Sequence, residues 1–307
     1  MQTLAKASIF AFTLVVVLLG SGCKPTDTTT PDPSPEVCQV ALIKEGGVNY
    51  FRAEYDSQHR VTKLISYNNG SISNSEEFIY DNSGNITQET SKDAAGITTG
   101  RGELIYNSSG KIFQIKGYDN AGVLSHQTTN EYDASQRITR QNYSSLSNAV
   151  LAPSSYRTYE YSNTSKFPSR SIYFSPVTAT TGSITTYTYD GNNNMTEETD
   201  FHTPTGGGSS TVATRYLRTY DDKNVPFVIL GKLGKIALFG AGSINYEISR
   251  NNILTETIIS YNTSGQETSR SINNRTYEYD SKGNPTKRNL TNSSGSTAVQ
   301  TVEYHCH

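Results

Sequence analysis

A short motif that begins with tyrosine and aspartate or asparagine recurs along most of the chain. The early copies are separated by 12, 13, 26, 12 and 14 residues, so the repeated unit is about 13 residues with one copy skipped. Fixed-period similarity within a chain indicates a repetitive architecture and constrains the fold more than local propensities do. The ten copies begin at Tyr55, Tyr67, Tyr80, Tyr106, Tyr118, Tyr132, Tyr189, Tyr220, Tyr261 and Tyr279.

Each unit is typical of a strand, a tight turn and the start of the next strand. In the copy from Tyr80 to Ile86, Asp81 can accept backbone hydrogen bonds that open a turn, and Gly84 can adopt the left-handed conformation that closes it. An apolar residue such as Ile86 then resumes the sheet. The turn residues predicted in this way include Tyr55, Asp56, Tyr80, Asp81, Gly84, Tyr118, Asp119, Gly122, Tyr279, Asp280 and Gly283.

The repeat predicts an all-β fold. A unit of about 13 residues leaves a strand of eight or nine residues and a turn that reverses the chain, so the strands form an antiparallel meander. Hydrophobic residues make up only 34% of the chain, whereas Ser, Thr and Asn make up about a third, which favours a sheet with one polar face. On the order of 16 to 20 strands would follow, and a sheet that wide should curve strongly or approach a barrel.

The tyrosines allow two interpretations. Pairs such as Tyr277 and Tyr279 place two rings on one face of a strand. The rings may simply form the core of the sheet, or they may form an exposed aromatic platform for sugars.

The N-terminus is typical of an exported protein. Lys6 precedes an apolar segment from Ile9 to Leu19, and small residues lead to Cys23, as in a bacterial lipobox. We therefore predict a signal peptide at 1–22, a lipidated Cys23 with a Pro/Thr-rich tether at 23–36, and a single β domain at 37–307. Acyl chains on Cys23 would attach the protein to a membrane. Ordinary signal cleavage near Ser21, with Cys23 incidental, is the alternative.

Two further cysteines lie at the two ends of the predicted β domain. Cys38 begins the first plausible strand and Cys306 ends the last, so a sheet that closes would bring them together. Because an exported chain is in an oxidising compartment, we predict a Cys38–Cys306 disulfide. A metal site at His305–Cys306–His307 and two free thiols are the alternatives.

One segment interrupts the repeats. Residues 225–244 are the most apolar part of the mature chain, but they contain Lys232 and Lys235. We interpret the segment as a plug or short helix packed across the sheet, with a ligand-contact loop as the alternative.

The motif Tyr80-Asp81-Asn82-Ser83-Gly84-Asn85-Ile86 resembles YD/RHS repeats. The chain also resembles a group of Gram-negative lipoproteins of unknown function with a porin-like, curved β-sheet fold. That resemblance rests on residues 220–224, the pair Pro226–Phe227 and residues 251–253. It implies a lipid-anchored protein of the outer membrane and says little about chemistry.

No catalytic motif is evident, so we predict that the protein is not an enzyme and needs no cofactor or metal. A net charge of -2 argues against nucleic-acid binding. The leading hypothesis is a surface lipoprotein that binds glycan or an envelope protein. The alternative is a structural or assembly component of an outer-membrane complex.

Overall fold

A computed structural model describes residues 38–147, 150–175, 180–203, 210–224 and 249–307. These residues belong to one compact unit, 37–307. They form eighteen strands and no helix, so none of the described residues belongs to a helix able to span a membrane. The predicted signal peptide, Cys23, the tether and the 225–244 plug lie outside the described residues.

The strands are 7 to 14 residues long. In chain order they are β1 Cys38–Glu45, β2 Val48–Tyr55, β3 Val61–Asn68, β4 Ser71–Tyr80, β5 Ile86–Asp93, β6 Thr98–Tyr106, β7 Ile112–Asp119, β8 Leu124–Tyr132, β9 Ile138–Ser147, β10 Val150–Tyr161, β11 Pro168–Ser175, β12 Thr180–Tyr189, β13 Met195–His202, β14 Thr211–Asn224, β15 Asn251–Tyr261, β16 Glu267–Tyr279, β17 Pro285–Thr291 and β18 Thr297–Cys306.

The sheet closes on itself. Every strand pairs antiparallel with the next one along the chain, and β1 pairs with both β2 and β18. The closing ladder runs from Cys38 opposite Cys306 to Glu45 opposite Gln300. The all-β prediction is therefore confirmed, and the strongly curved sheet is a closed antiparallel barrel of eighteen strands. Closure leaves no unpaired strand edge among the described residues, which removes the usual route to edge-to-edge association.

The wall has an apolar and a polar sector on its buried face. Side chains on β3 to β7 form a compact apolar cluster consisting of Val61, Phe78, Ile86, Leu104 and Ile112. Neighbours on the opposite face of the same strands, such as Ile79, are exposed, as the two-residue period of a strand requires. In a closed barrel the buried face is the interior, so this cluster fills one sector of it.

The structural repeat is a hairpin of two strands and not a single unit of 13 residues. Tyr55, Tyr80 and Tyr106 all end even-numbered strands and therefore lie at the same end of the barrel. Tyr118 lies near the end of an odd-numbered strand, β7, at the opposite end. The strands alternate in direction, so consecutive copies of the motif fall at opposite ends, and equivalent positions recur about every 25 residues.

Candidate functional site: the barrel interior and the closure seam

Ten turns share one backbone geometry. In each, an Asp or Asn Oδ1 accepts hydrogen bonds from the backbone N–H groups two and four residues later. For Asp81 these bonds, first from the N–H of Asn85, hold the pKa of the carboxyl below its usual value. The first residues of these turns are Asp56, Asp81, Asp93, Asn107, Asp119, Asp133, Asp190, Asn262, Asp280 and Asn292.

The fourth residue of each turn adopts a left-handed conformation. Gly84, Gly122 and Gly283 have φ angles of 76°, 76° and 81°. Seven of the ten positions are glycine, because a side chain is disfavoured there. The remaining three are His59, Gln136 and Asn193.

A belt of tyrosines encircles one end of the barrel. All nine even-numbered strands contain a tyrosine at or near the end that they share. In eight of them the hydroxyl donates to a backbone carbonyl at or near the start of the preceding strand, at 2.6 to 3.1 Å. We call the nine residues the tyrosine belt: Tyr55, Tyr80, Tyr106, Tyr132, Tyr161, Tyr189, Tyr220, Tyr279 and Tyr304.

The belt is part of the barrel framework. Burial raises the pKa of Tyr80 to about 12, and its hydroxyl is 2.6 Å from the Val61 carbonyl oxygen. The guanidinium of Arg60 lies 4.5 Å from the centre of the same ring. Because both the hydroxyl and the ring of Tyr80 are engaged, this ring is not a free stacking surface for sugars. Tyr118 lies outside the belt, and its hydroxyl donates to Glu103.

The turn that contains the predicted plug is completed across the insertion. Asp221 Oδ1 accepts from the N–H of Lys223, as in the other turns, and also from the N–H of Asn252, 31 residues later. The hydroxyl of Tyr279, the ninth belt tyrosine, donates to Asp221 Oδ2. The two motifs on either side of residues 225–248 are thus joined into one turn, so a long insertion does not interrupt the belt.

The second sector of the interior is a polar wall. Gln141 is opposite Arg157, and Tyr159 is opposite Ser171, so these side chains share the buried face of β9 to β11. Gln141 Oε1 accepts from the hydroxyl of Tyr159, and Ser171 Oγ lies 3.1 Å from Nη1 of Arg157. We call this group, together with Tyr187, which is 2.9 Å from Ser171, the polar wall.

An ion-pair network continues the polar wall across β13 to β16. Arg218 lies between Glu198 and Glu256, with N–O distances of 3.0 Å to each. Arg275 approaches Glu256 from the other side, at 3.4 Å. The Arg218 side chain is only 2% exposed, so its charge is balanced by these carboxylates rather than by solvent.

Two guanidinium groups of the interior keep an unused donor. Nε of Arg157 and Nη1 of Arg275 are buried and have no hydrogen-bond partner among the described residues. A buried donor without a partner is costly, so such atoms mark places where a polar ligand would be favourable. These two arginines are the strongest indication of a binding function in the interior, and the sequence pattern did not indicate them.

Two glutamates face the interior on the apolar side. Glu89 is opposite Phe78, two residues from Glu76, so the two carboxylates share the buried face of β4 and β5. Burial, followed by the charge of Glu76, raises the pKa of Glu89 to about 7. Burial also raises the pKa of Glu76. Glu77 points outward, where Lys92 and Lys63 hold its pKa below the usual value.

The closure seam holds the predicted disulfide. Cys38 and Cys306 are directly opposite on β1 and β18, and their sulfurs are bonded. The disulfide prediction is therefore confirmed, and Cys306 is not available as a metal ligand. His305 and His307 nevertheless come close to His59, which sequence reasoning treated as an isolated surface residue.

Comparison with known proteins gives similarity of fold only. No family model matches the chain, and no curated protein matches it. A porin-like protein from Bacteroides uniformis is 14% identical, with a TM-score of 0.46, over 87% of this chain and 96% of that one. A porin-like protein from Bacteroides vulgatus is 12% identical, with a TM-score of 0.41, over 87% of this chain and 99% of that one.

A chain of the Photorhabdus luminescens Tc holotoxin pore is 15% identical, with a TM-score of 0.33. It matches 83% of this chain, which corresponds to only 11% of the toxin chain. At these identities and scores, function has to be argued from the barrel itself.

Proposed function

We propose that the protein is a non-catalytic lipoprotein of the cell envelope that binds a polar, carbohydrate-like ligand on the interior wall of its barrel. The observation that carries the proposal is the pair of buried, unpartnered donors on Arg157 and Arg275. Barrels of about 16 to 18 strands are wide enough to leave a channel, so the interior of a barrel this size has room for a small ligand.

The chemistry of the polar wall suits a sugar. Carbohydrates present many hydroxyls, which both accept and donate hydrogen bonds, and their apolar ring faces pack on aromatic side chains. Arg157 offers a free N–H, and its guanidinium lies 5.7 Å from the ring of Tyr173. Tyr159, Tyr187 and Ser171 add hydroxyls on the same face.

The test is a glycan array followed by calorimetric titration of the purified protein with each sugar that binds. We expect Arg157→Met to weaken binding at least tenfold, because the ligand loses a charge-assisted hydrogen bond. Arg170→Met is the matched control, since Arg170 makes an exposed ion pair with Glu160 on the outer face. Equal binding by both variants, or no sugar bound by the wild-type protein, would refute a carbohydrate site on the polar wall.

Attachment to the outer membrane through Cys23 is a separate part of the proposal. It is supported by the lipobox-like sequence that ends at Cys23. We expect Cys23→Ala to be released from membranes or to remain an unprocessed precursor. Retention of this variant on membranes after a high-salt wash would rule out the lipid anchor while leaving the ligand proposal intact.

An assembly role is the second candidate, and one observation favours it. Five apolar side chains follow turns at the end opposite the tyrosine belt, and they are 48 to 65% exposed. This apolar rim consists of Val48, Ile72, Ile97, Val123 and Val150. Exposed apolar groups of this kind commonly mark a contact with another protein.

The assembly role is tested by cross-linking in intact cells. If it is correct, replacing Ile97 and Val150 with serine should abolish a cross-linked complex that the wild-type protein forms. Ile79→Ser is the control, because Ile79 is 53% exposed on the outer face near the tyrosine belt. Cross-linking that does not depend on the rim would remove the support for this candidate.

A further inference from the structure

We propose that His59, His305 and His307 form a binding site for a divalent transition-metal ion of the zinc class at the closure seam. One ring nitrogen from each histidine lies within 4.8 Å of the others, and all three side chains are exposed. This proposal goes beyond the interior ligand site and does not depend on it.

The last strand brings two of the ligands together. His305 and His307 are two residues apart, so they extend to the same side of the chain. Cys306 lies between them and extends to the other side, where it is bonded to Cys38. The disulfide therefore fixes the backbone from which both imidazoles project.

The third ligand comes from a turn in a conformation that a side chain disfavours. His59 has a φ of 59° and occupies the position that is glycine in seven of the ten equivalent turns. Its N–H donates to the Asp56 carbonyl, so the turn keeps its ordinary geometry despite the bulky residue. Unfavourable backbone conformations of residues with side chains are concentrated at functional sites.

A buried glutamine joins the turn to the seam. Gln39 is directly opposite His305, and its Nε2 donates to the His59 carbonyl at 2.9 Å. Its Oε1 is buried and has no partner among the described residues. Gln39 thus positions His59 beside the last strand, although the two segments are far apart in the sequence.

The donor set selects the class of ion. Neutral imidazoles suit Zn²⁺, Cu²⁺ and Ni²⁺, whereas Ca²⁺ and Mg²⁺ require oxygen ligands, and no carboxylate belongs to this cluster. The nearby carboxylate of Asp56 is occupied by Arg60, at 2.7 Å. Three histidines leave a fourth coordination position open to water or to another ligand.

Binding requires the rings to turn. The rings of His59 and His307 are stacked, with centroids 3.3 Å apart and an interplanar angle of 2°. Since the lone pair of an imidazole lies in the ring plane, two parallel stacked rings cannot both point at one ion. Exposure of all three side chains allows the rotation, so the backbone can stay in place.

The experiment is calorimetric titration of the EDTA-treated, redialysed protein with zinc chloride and, separately, nickel chloride. We expect one ion per chain. His305→Ala, His307→Ala and His59→Asn should each weaken binding by about tenfold or more, since even outer-shell changes cost that much. Asparagine is chosen at position 59 because Asn193 occupies the equivalent turn position.

His126→Ala is the control, because His126 contacts Ser125 and lies outside the cluster. Mass spectrometry should confirm that the Cys38–Cys306 bond is intact in every variant, and the melting temperature without metal should confirm the fold. Absence of binding by the wild-type protein, or binding that survives loss of all three histidines, would overturn the proposal. Unchanged binding by His59→Asn alone would overturn the role of the turn.

Discussion

The hydroxyl of Tyr80 should contribute measurably to stability because it bonds across the barrel wall. Tyr80→Phe keeps the ring and removes only the 2.6 Å bond to the Val61 carbonyl. A hydrogen bond of this kind contributes about 1 kcal/mol, and leaving a buried carbonyl short of a partner adds to the loss. We therefore expect the free energy of unfolding to fall by about 1 to 2 kcal/mol, measured by urea denaturation under non-reducing conditions.

Tyr118→Phe is the matched control. It makes the same chemical change in the same sequence motif, but its hydroxyl donates to a glutamate side chain at the opposite end of the barrel. Its effect should stay within about 0.5 kcal/mol, as for most surface changes. Equal losses in the two variants would refute the reasoning, because the distinction between belt and non-belt tyrosines would then have no energetic content.

Four further variants test other parts of the wall by urea denaturation. Gly84→Ala should cost about 1 kcal/mol because φ is +76°, whereas Gly191→Ala, with open space around the added methyl group, should be nearly neutral. Arg218→Met should cost about 3 to 5 kcal/mol because two buried carboxylates lose their partner, and a loss below 1 kcal/mol would contradict the ion-pair network. The pKa of Glu89 is raised in the folded state, so the wild-type protein should lose stability as the pH rises from about 4.5 to about 7, and Glu89→Gln should abolish that loss. Cys306→Ser opens a loop of 268 residues, for which chain entropy sets a ceiling of about 5 to 6 kcal/mol, and an unchanged urea midpoint would show that the bridge adds nothing to closure.

The turns could be predicted from the sequence because their interactions are local. Asp81 and Gly84 act within five residues, so the residue types alone indicate the geometry. The disulfide was predictable for a different reason: Cys38 and Cys306 lie at the two ends of a repetitive sheet, and closure is the arrangement that brings such ends together.

The belt and the histidine cluster could not be predicted, because both depend on which end of the barrel a residue occupies. Tyr80 and Tyr118 begin the same motif, yet only one of them bonds across to a preceding strand. His59 is 246 residues from His305, and nothing in its local sequence distinguishes it from a surface turn residue. Only the register across the seam brings them together.

The polar wall escaped prediction because polar residues occupy both faces of these strands. On β14, Arg215 pairs with Glu197 at 37% exposure, whereas Arg218 lies 2% exposed between two other carboxylates. Alternation identifies a buried face when that face is apolar, as on β4. Where both faces are polar, the sequence alone gives no contrast between inside and outside.

The position of the disulfide makes the described barrel a covalent ring. Each even-numbered strand is joined to the next odd-numbered strand at the tyrosine end, and between β18 and β1 the Cys38–Cys306 bond takes the place of that connection. Val40 accepts the hydroxyl of Tyr55 there, as Val61 accepts that of Tyr80. The order of strands is therefore cyclic, and the point at which the peptide starts is arbitrary for the pairing. A circular permutant that replaces the disulfide by an Asp-x-x-Gly turn and opens the chain at another turn should keep all eighteen ladders.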